Sequence, residues 1–172
     1  MHVYGSRSKV TVAADQLADG AGSIGVRVDG SANQLSVNAD VLISANGTGG
    51  IGMAFTYGRS HTLLLEGKVQ ALGSGGSALV FDFGGSILGD ENQVRGSWTA
   101  GAATEYGWLT FHPEELNFPQ VLQGSLIKSA VIAGTLQGSD AAIRIGPTAH
   151  VAQIRLVDGA HIEGDIVSSW SA

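Results

Sequence analysis

The chain has 172 residues, of which 26 are glycine, none is cysteine and 14% are charged. A hydrophobic fraction of 44% excludes a disordered chain, irregular glycine spacing excludes collagen, and the lack of cysteine excludes disulfide-stapled and zinc-thiolate folds. Because 15 acidic residues outnumber 9 basic ones and give a net charge of −6, we expect no nucleic-acid partner.

An imperfect internal repeat starts at the first residues of the chain. Each copy runs from a short apolar stretch through a glycine and a few polar residues into a new alternating strand. Four segments share this pattern: 3–12, 28–37, 56–65 and 144–153. The glycines Gly5, Gly30, Gly58 and Gly84 follow one another at intervals of 25, 28 and 26 residues. The interval from Gly84 to Gly146 fits either two repeats or one repeat with an insertion.

Each repeat holds three short strands separated by turns. Alternation of apolar and polar residues at period two predicts strands throughout, and the glycine-rich segments 19–22, 46–50 and 73–76 predict the turns. Three strands in about 25 to 28 residues fit one coil of a parallel β-helix, in which each coil buries its inward side chains against its neighbours. The sequence therefore predicts a single all-β domain over residues 1–172, a solenoid of about five coils. A glycine-rich antiparallel sandwich is the competing interpretation.

One segment, residues 90–123, breaks the repeat and is predicted to be an insertion loop. It holds two of the three prolines and five aromatic residues, namely Trp98, Tyr106, Trp108, Phe111 and Phe118. Loops on a rigid scaffold often carry function, and aromatic residues are frequent interface anchors. Trp98, Tyr106, Trp108 and Phe111 are thus the candidate binding residues. The alternative is that these rings pack against one another and form a small separate hydrophobic core.

Several repeat segments resemble the passenger regions of bacterial autotransporters (type V secretion). The similarity lies in residues 25–30, 52–61, 69–73, 79–84, 95–97 and 159–166, and is strongest to passengers that follow a subtilisin-like protease domain. The resemblance implies a right-handed β-helix that is secreted or displayed on the surface of a Gram-negative cell. It also implies an outer-membrane barrel, and neither barrel nor protease lies within these residues. We expect the chain to be a fragment of a longer protein, with the export signal upstream.

No catalytic motif stands out. A nucleophile elbow of the form Gly-x-Ser-x-Gly is missing. The scattered histidines His61, His112, His150 and His161 are each expected to be solvated in a turn or at a strand edge. The sequence therefore predicts no catalytic residue and no enzyme activity in this chain.

Three charged residues could meet on neighbouring coils. If the strands ending at Phe81 and Ile145 stack, Asp82 comes beside Arg144, and Asp29 could join them one coil away. β-Helix enzymes place such residues on neighbouring coils, although solvated turns are the simpler explanation. Asp90, Glu91 and Asn92 offer oxygen ligands for calcium. Because the calcium-binding glycine-rich nonapeptide repeat is missing, we predict no metal and no cofactor.

These observations favour a non-catalytic stalk or adhesin-like scaffold connected with virulence. Its expected partners are a host surface protein or glycan and the flanking domains of the parent protein. No insertion into a membrane is expected, whereas open strand edges allow end-to-end self-association. Two alternatives stay open: a carbohydrate-binding or carbohydrate-active β-helix that uses the aromatic insertion, and an accessory segment of an upstream serine protease domain.

Overall fold

The structure is a computed structural model that describes residues 1–82, 124–147 and 149–170 in full. For residues 87–88, 93–100 and 103–110 it describes the backbone of three strands. The described part of the chain is all-β. None of its residues forms a helix long and apolar enough to cross a membrane.

The chain winds through successive coils of three strands. Coil one holds β1 (His2–Ser6), β2 (Lys9–Val12) and β3 (Gln16–Ala18), and coil two holds β4 (Ile24–Ser31), β5 (Gln34–Val37) and β6 (Leu42–Ala45). Coil three holds β7 (Ile51–Phe55), β8 (His61–Leu65) and β9 (Lys68–Ala71), and coil four begins with β10 (Ser77–Phe81). The antiparallel strands β11 (Ile87–Leu88), β12 (Gln93–Ala100) and β13 (Ala103–Thr110) come next. Coils four and five are completed by β14 (Ile127–Ile132), β15 (Thr135–Ile145), β16 (Ile154–Leu156) and β17 (His161–Ser168).

Equivalent strands of successive coils pair in parallel and form three faces. The first face runs β1-β4-β7-β10-β15, the second β2-β5-β8-β14-β16, and the third β3-β6-β9-β15. The long strand β15 turns a corner, since its first half pairs with β9 on the third face and its second half with β10 on the first. The predicted parallel β-helix of about five coils is confirmed, and the antiparallel sandwich is wrong. The right-handed sense stays a prediction.

Inward side chains from all three faces meet in one hydrophobic core. Val28, Phe55 and Phe81 occupy the same position of β4, β7 and β10, and all are buried. The rings of Phe55 and Phe81 lie 5.6 Å apart between centroids. Such stacking explains the low charge of the sequence, because each inward position contacts its equivalents in the coils above and below.

The segment between β10 and β14 interrupts coil four, but the strands of that coil still pair with the equivalent strands of the neighbouring coils. β10 pairs with the second half of β15, and β14 pairs with β8 of coil three, so no coil is skipped. Of the two explanations for the interval from Gly84 to Gly146, the structure supports one coil with an insertion. In the segment between β10 and β14, which begins before the predicted insertion 90–123, the strands β11, β12 and β13 form an antiparallel sheet.

The repeated glycine marks the corner between the first and second faces. Gly5, Gly30 and Gly58 all have positive φ, at 139°, 96° and 93°. They also lie so close together that a Cβ on Gly58 would overlap the carbonyl oxygen of Gly30. Glycine is therefore required here for its backbone conformation and for the close approach of successive coils.

Candidate functional site

A carboxylate lies on the outer side of the first face, near the N-terminal end of the solenoid, and is nevertheless buried. Asp29, on β4, is 4% exposed. Its Oδ2 accepts hydrogen bonds from Arg27 Nε at 2.9 Å and lies 2.6 Å from Nε2 of His2. Its Oδ1 accepts from the hydroxyl of Thr56 on the next coil. We call His2, Arg27, Asp29 and Thr56 the Asp29 cluster.

The Asp29 cluster is bonded through three successive coils. His2 lies on coil one, Arg27 and Asp29 on coil two, and Thr56 follows β7 on coil three. The Arg27 side chain is 13% exposed and also donates to the Thr56 hydroxyl at 3.1 Å. Both oxygens of Asp29 accept hydrogen bonds and its charge is paired, so the carboxylate is poorly placed to act as a general base. The arrangement holds coils together.

The proposed meeting of Asp82, Arg144 and Asp29 is only partly realised. The required stacking is present, since Phe81 pairs with Ile145, but Arg144 pairs with Val80 and Asp82 lies beside Gly146. Arg144 forms an ion pair with Asp140 on its own strand and a 3.4 Å hydrogen bond to Ser77.

The expectation that Asp29 lies one coil from this pair is wrong. Asp29 belongs to coil two and Asp82 follows β10 of coil four, with Thr56 at the level between them. At about 4.8 Å for each coil, this offset separates the two carboxylates by about 10 Å along the solenoid axis. The described residues therefore bring the three charges to one face but not into one site.

A second buried polar group lies beneath the corner that follows the first face. His61 is fully buried, so the expectation of a solvated histidine is wrong at this position. Its Nδ1 accepts the backbone N–H of Asn33 at 3.3 Å, which leaves Nε2 to donate to the Tyr57 carbonyl at 2.8 Å. Burial lowers the pKa of His61 below its ordinary value and keeps the ring neutral.

Asn33 completes this buried corner. Its amide nitrogen donates to the carbonyls of Gly5 and Asp29, at 2.8 Å and 2.9 Å, and its side-chain oxygen accepts the N–H of Ser8 at 3.0 Å. One side chain thereby satisfies backbone groups of two coils. Sequence reasoning missed Asn33, although a polar residue three positions after a repeated glycine was an available signal.

The described histidines of coil five are exposed, whereas Tyr57 of coil three is buried. His150 is exposed and lies 2.9 Å from the hydroxyl of Ser125, and exposed His161 lies 2.7 Å from Glu163, as expected for solvated histidines. His112 lies outside the described residues. Burial raises the pKa of Tyr57 to about 12, with smaller contributions from Tyr4 and Asp29.

The candidate binding residues of the insertion are placed by backbone register alone. Trp98 of β12 pairs with Glu105, whereas Tyr106 and Trp108 of β13 pair with Ser97 and Arg95. Successive positions of a regular strand belong to opposite faces of the sheet. By register, the position of Trp98 therefore belongs to one face of the β12–β13 pair, and the positions of Tyr106 and Trp108 belong to the other. Phe111 and the calcium candidates Asp90, Glu91 and Asn92 lie outside the described residues. Among the residues that are described, no group of three or more metal-ligating side chains comes together.

These features define a class of protein: a parallel β-solenoid whose buried polar residues bond one coil to the next. Comparison of the chain with protein-family models, with curated proteins and with solved structures found no match in any of the three.

Proposed function

We propose that the chain is a non-catalytic β-helical passenger segment of a secreted or surface-displayed autotransporter, and that it acts as a rigid scaffold. The resemblance of residues 25–30 and 52–61 to autotransporter passengers suggests the secretion route. The parallel solenoid, the fold expected of such a passenger, supports it.

The observation that carries the scaffold role is the continuity of the core. One cluster of buried hydrophobic residues extends from Val3 in coil one to Ala149 in coil five. An inner coil cannot open without uncovering the apolar surface of both neighbours, and each buried side chain contributes about 1.5–3 kcal/mol against such opening. A rod of this kind resists local unfolding along its length and keeps attached segments at a fixed distance.

The polar clusters support a structural role as well. Asp29 is buried and paired, and His61 is buried and neutral, so both groups link coils instead of facing solvent as reactive side chains. The insertion leaves and re-enters the solenoid within coil four, between Phe81 and Ile127. The stack of coils therefore continues on both sides of this segment.

The test places the full chain between a bacterial signal peptide and an autotransporter outer-membrane barrel in a Gram-negative host. Antibody labelling of intact cells measures surface display of the chain and of the variant Phe55→Asp, in which a charge replaces a fully buried ring. Leu64→Asp, at a position 40% exposed, is the matched control. We expect display of the wild type and the control and a strong loss for Phe55→Asp. Equal display of all three chains, or of none, would contradict the proposal.

Carbohydrate binding by the insertion is the second candidate function. The observation in its favour is that Tyr106 and Trp108 are two residues apart on β13, the spacing at which strand residues share a face. Aromatic residues at this spacing are suited to stacking on a sugar chain.

A further inference from the structure

The corner between the third face and the first contains a chemically labile pair of residues. Asn46 follows β6 and precedes Gly47, and no other asparagine in the sequence is followed by glycine. The backbone nitrogen of the residue after an asparagine can attack the side-chain carbonyl carbon, and glycine hinders this attack least because it has no Cβ. Asn46 is exposed and Gly47 is partly exposed, so solvent reaches both reacting groups.

The packing of the coils accounts for both members of this pair. A Cβ on Gly47 would overlap the backbone carbonyl of Gly20 in coil one, and a Cβ on Gly73 in coil three would overlap that of Gly47. Oδ1 of Asn46 accepts the backbone N–H of Leu72 in coil three at 3.1 Å. Asn46 therefore links coils two and three, and Gly47 allows three coils to approach one another closely.

The hydrogen bond from Leu72 also favours attack on the side chain of Asn46. When the Gly47 nitrogen bonds to Cγ of Asn46, negative charge develops on Oδ1, and a fixed backbone donor at that oxygen stabilises this charge. Within the described part of the chain the N–H of Gly47 has no hydrogen-bond partner. Its nitrogen is therefore available as soon as a solvent base removes the proton.

We propose that Asn46 is a modification site, at which the side chain cyclises onto Gly47 and loses ammonia. The Gly47 nitrogen forms a bond to Cγ and gives its proton to solvent, while the side-chain nitrogen takes up a proton and leaves as ammonia. Water then opens the cyclic imide at either of its carbonyls. The products are chains with aspartate or isoaspartate at position 46.

Both products disturb the stacking of the coils at this corner. Asn46 donates its N–H to the carbonyl of Ala18 and therefore lies one coil from Asp19, about 4.8 Å along the axis. Aspartate at position 46 would place a second carboxylate beside this exposed one, and like charges repel. Isoaspartate would lengthen the backbone by one carbon next to Gly47, where the carbonyl of Gly20 leaves no room.

The experiment incubates the full chain in mildly alkaline buffer, digests it with pepsin in acid, where the imide forms slowly, and measures the converted fraction of each asparagine by mass spectrometry. Asn38 is the matched internal control, because it is exposed and donates its N–H to the preceding coil but is followed by alanine. A peptide spanning 40–52 contains the reactive pair without Leu72. The variants are Asn46→Gln, whose longer side chain disfavours the imide, and Asn46→Asp, which adds the charge without lengthening the backbone.

We expect conversion at Asn46 to be at least about tenfold faster than at Asn38, since the missing Cβ and the fixed donor both lower the barrier. Conversion in the full chain should be no slower than in the peptide. Urea unfolding should show a loss of stability that grows with incubation in the wild type and does not grow in Asn46→Gln. Asn46→Asp should show part of that loss before incubation. Conversion at Asn46 no faster than at Asn38 overturns the proposal, and so does conversion about tenfold slower in the chain than in the peptide, because the fold would then protect the pair.

Discussion

The backbone N–H of Asn33 on coil two donates to Nδ1 of His61 on coil three, at 3.3 Å, and His61 in turn donates to the carbonyl of Tyr57. This relationship requires a neutral imidazole, because a protonated ring would turn a donor towards the N–H of Asn33. The Phe55 ring, 5.7 Å away, offers no compensating charge. Burial lowers the pKa of His61, and hydrogen bonding to the backbone of Tyr57 and Gly30, followed by the charge of Asp29, offsets this effect only in part.

The stability of the solenoid is therefore expected to fall in mild acid. In the unfolded chain His61 takes up a proton near its ordinary pKa of 6.5, whereas the pKa in the folded chain is lower, so the unfolded state binds more protons as the pH falls. The contribution of His61 is complete above pH about 6.5 and declines below it, by up to about 1.4 kcal/mol for each pH unit. Urea unfolding at pH 7.5 and 5.5 should show this loss in the wild type and a smaller loss in His61→Gln. His150→Gln, an exposed control, should behave like the wild type. Identical pH dependence in His61→Gln would contradict the assignment.

The corner glycines provide a stability test with an internal control. Gly58 combines positive φ with the close approach of Gly30, so Gly58→Ala introduces both strain and overlap with backbone. We expect a loss of about 3 kcal/mol or more in the free energy of unfolding, or failure to fold. A Cβ on Gly20 would meet nothing within 4 Å, so Gly20→Ala should change stability by about 0.5 kcal/mol or less. Thermal or urea unfolding measures both, and equal effects would refute the stacked-corner geometry.

The Asp29 cluster is expected to matter more than the ion pair on β15. Asp29→Ala removes the buried carboxylate that accepts hydrogen bonds from Arg27, 13% exposed, and from Thr56, and should cost about 3 kcal/mol or more. The Asp140 and Arg144 side chains are 47% and 33% exposed, so Asp140→Ala should cost about 1 kcal/mol or less because solvent screens the pair. Urea unfolding of the two variants should show this difference. A cost for Asp29→Ala as small as that for Asp140→Ala would mean that the cluster does not join the coils.

The second candidate function predicts glycan binding through the insertion. Trp108→Ala removes a ring from β13 and should abolish any binding seen on a glycan array, since a few aromatic anchors carry most of the binding energy of an interface. Trp170→Ala, which removes a ring that is 41% exposed outside the insertion, should leave binding intact. An array on which the wild-type chain binds nothing removes this candidate.

The repeat predicted the fold because its physical cause is local. The turn at Gly30 and the strand after it have the same requirements as those at Gly5 and Gly58, so the period of the solenoid is visible in the sequence. The bend within β15 was not predicted, since the corner between its halves contains Ser139 and Asp140 instead of the glycine pair found one coil earlier.

The buried polar residues were the least predictable part. Asp29, Asn33 and His61 have the composition of solvated turn residues, and their burial depends on the coils stacked above and below. A polar residue recurs three positions after each corner glycine, but nothing within a single coil shows whether its side chain is buried. Likewise, whether Asp82 comes beside the strand that carries Arg144 depends on the number of coils between Gly84 and Gly146, and that number was ambiguous until the insertion was assigned to coil four.

The central claim is that these coils form a continuous rod that does not open locally. Limited trypsin digestion of the full chain, followed by mass spectrometry, tests it at Arg27 of β4 and Lys68 of β9, with peptides spanning 20–34 and 61–75 as references in the same buffer. We predict cleavage at both sites at least about a hundredfold slower in the chain than in the peptides, because an opening cost of about 3 kcal/mol or more has this effect. Cleavage of the chain at Arg27 and Lys68 as fast as in the peptides would contradict the account.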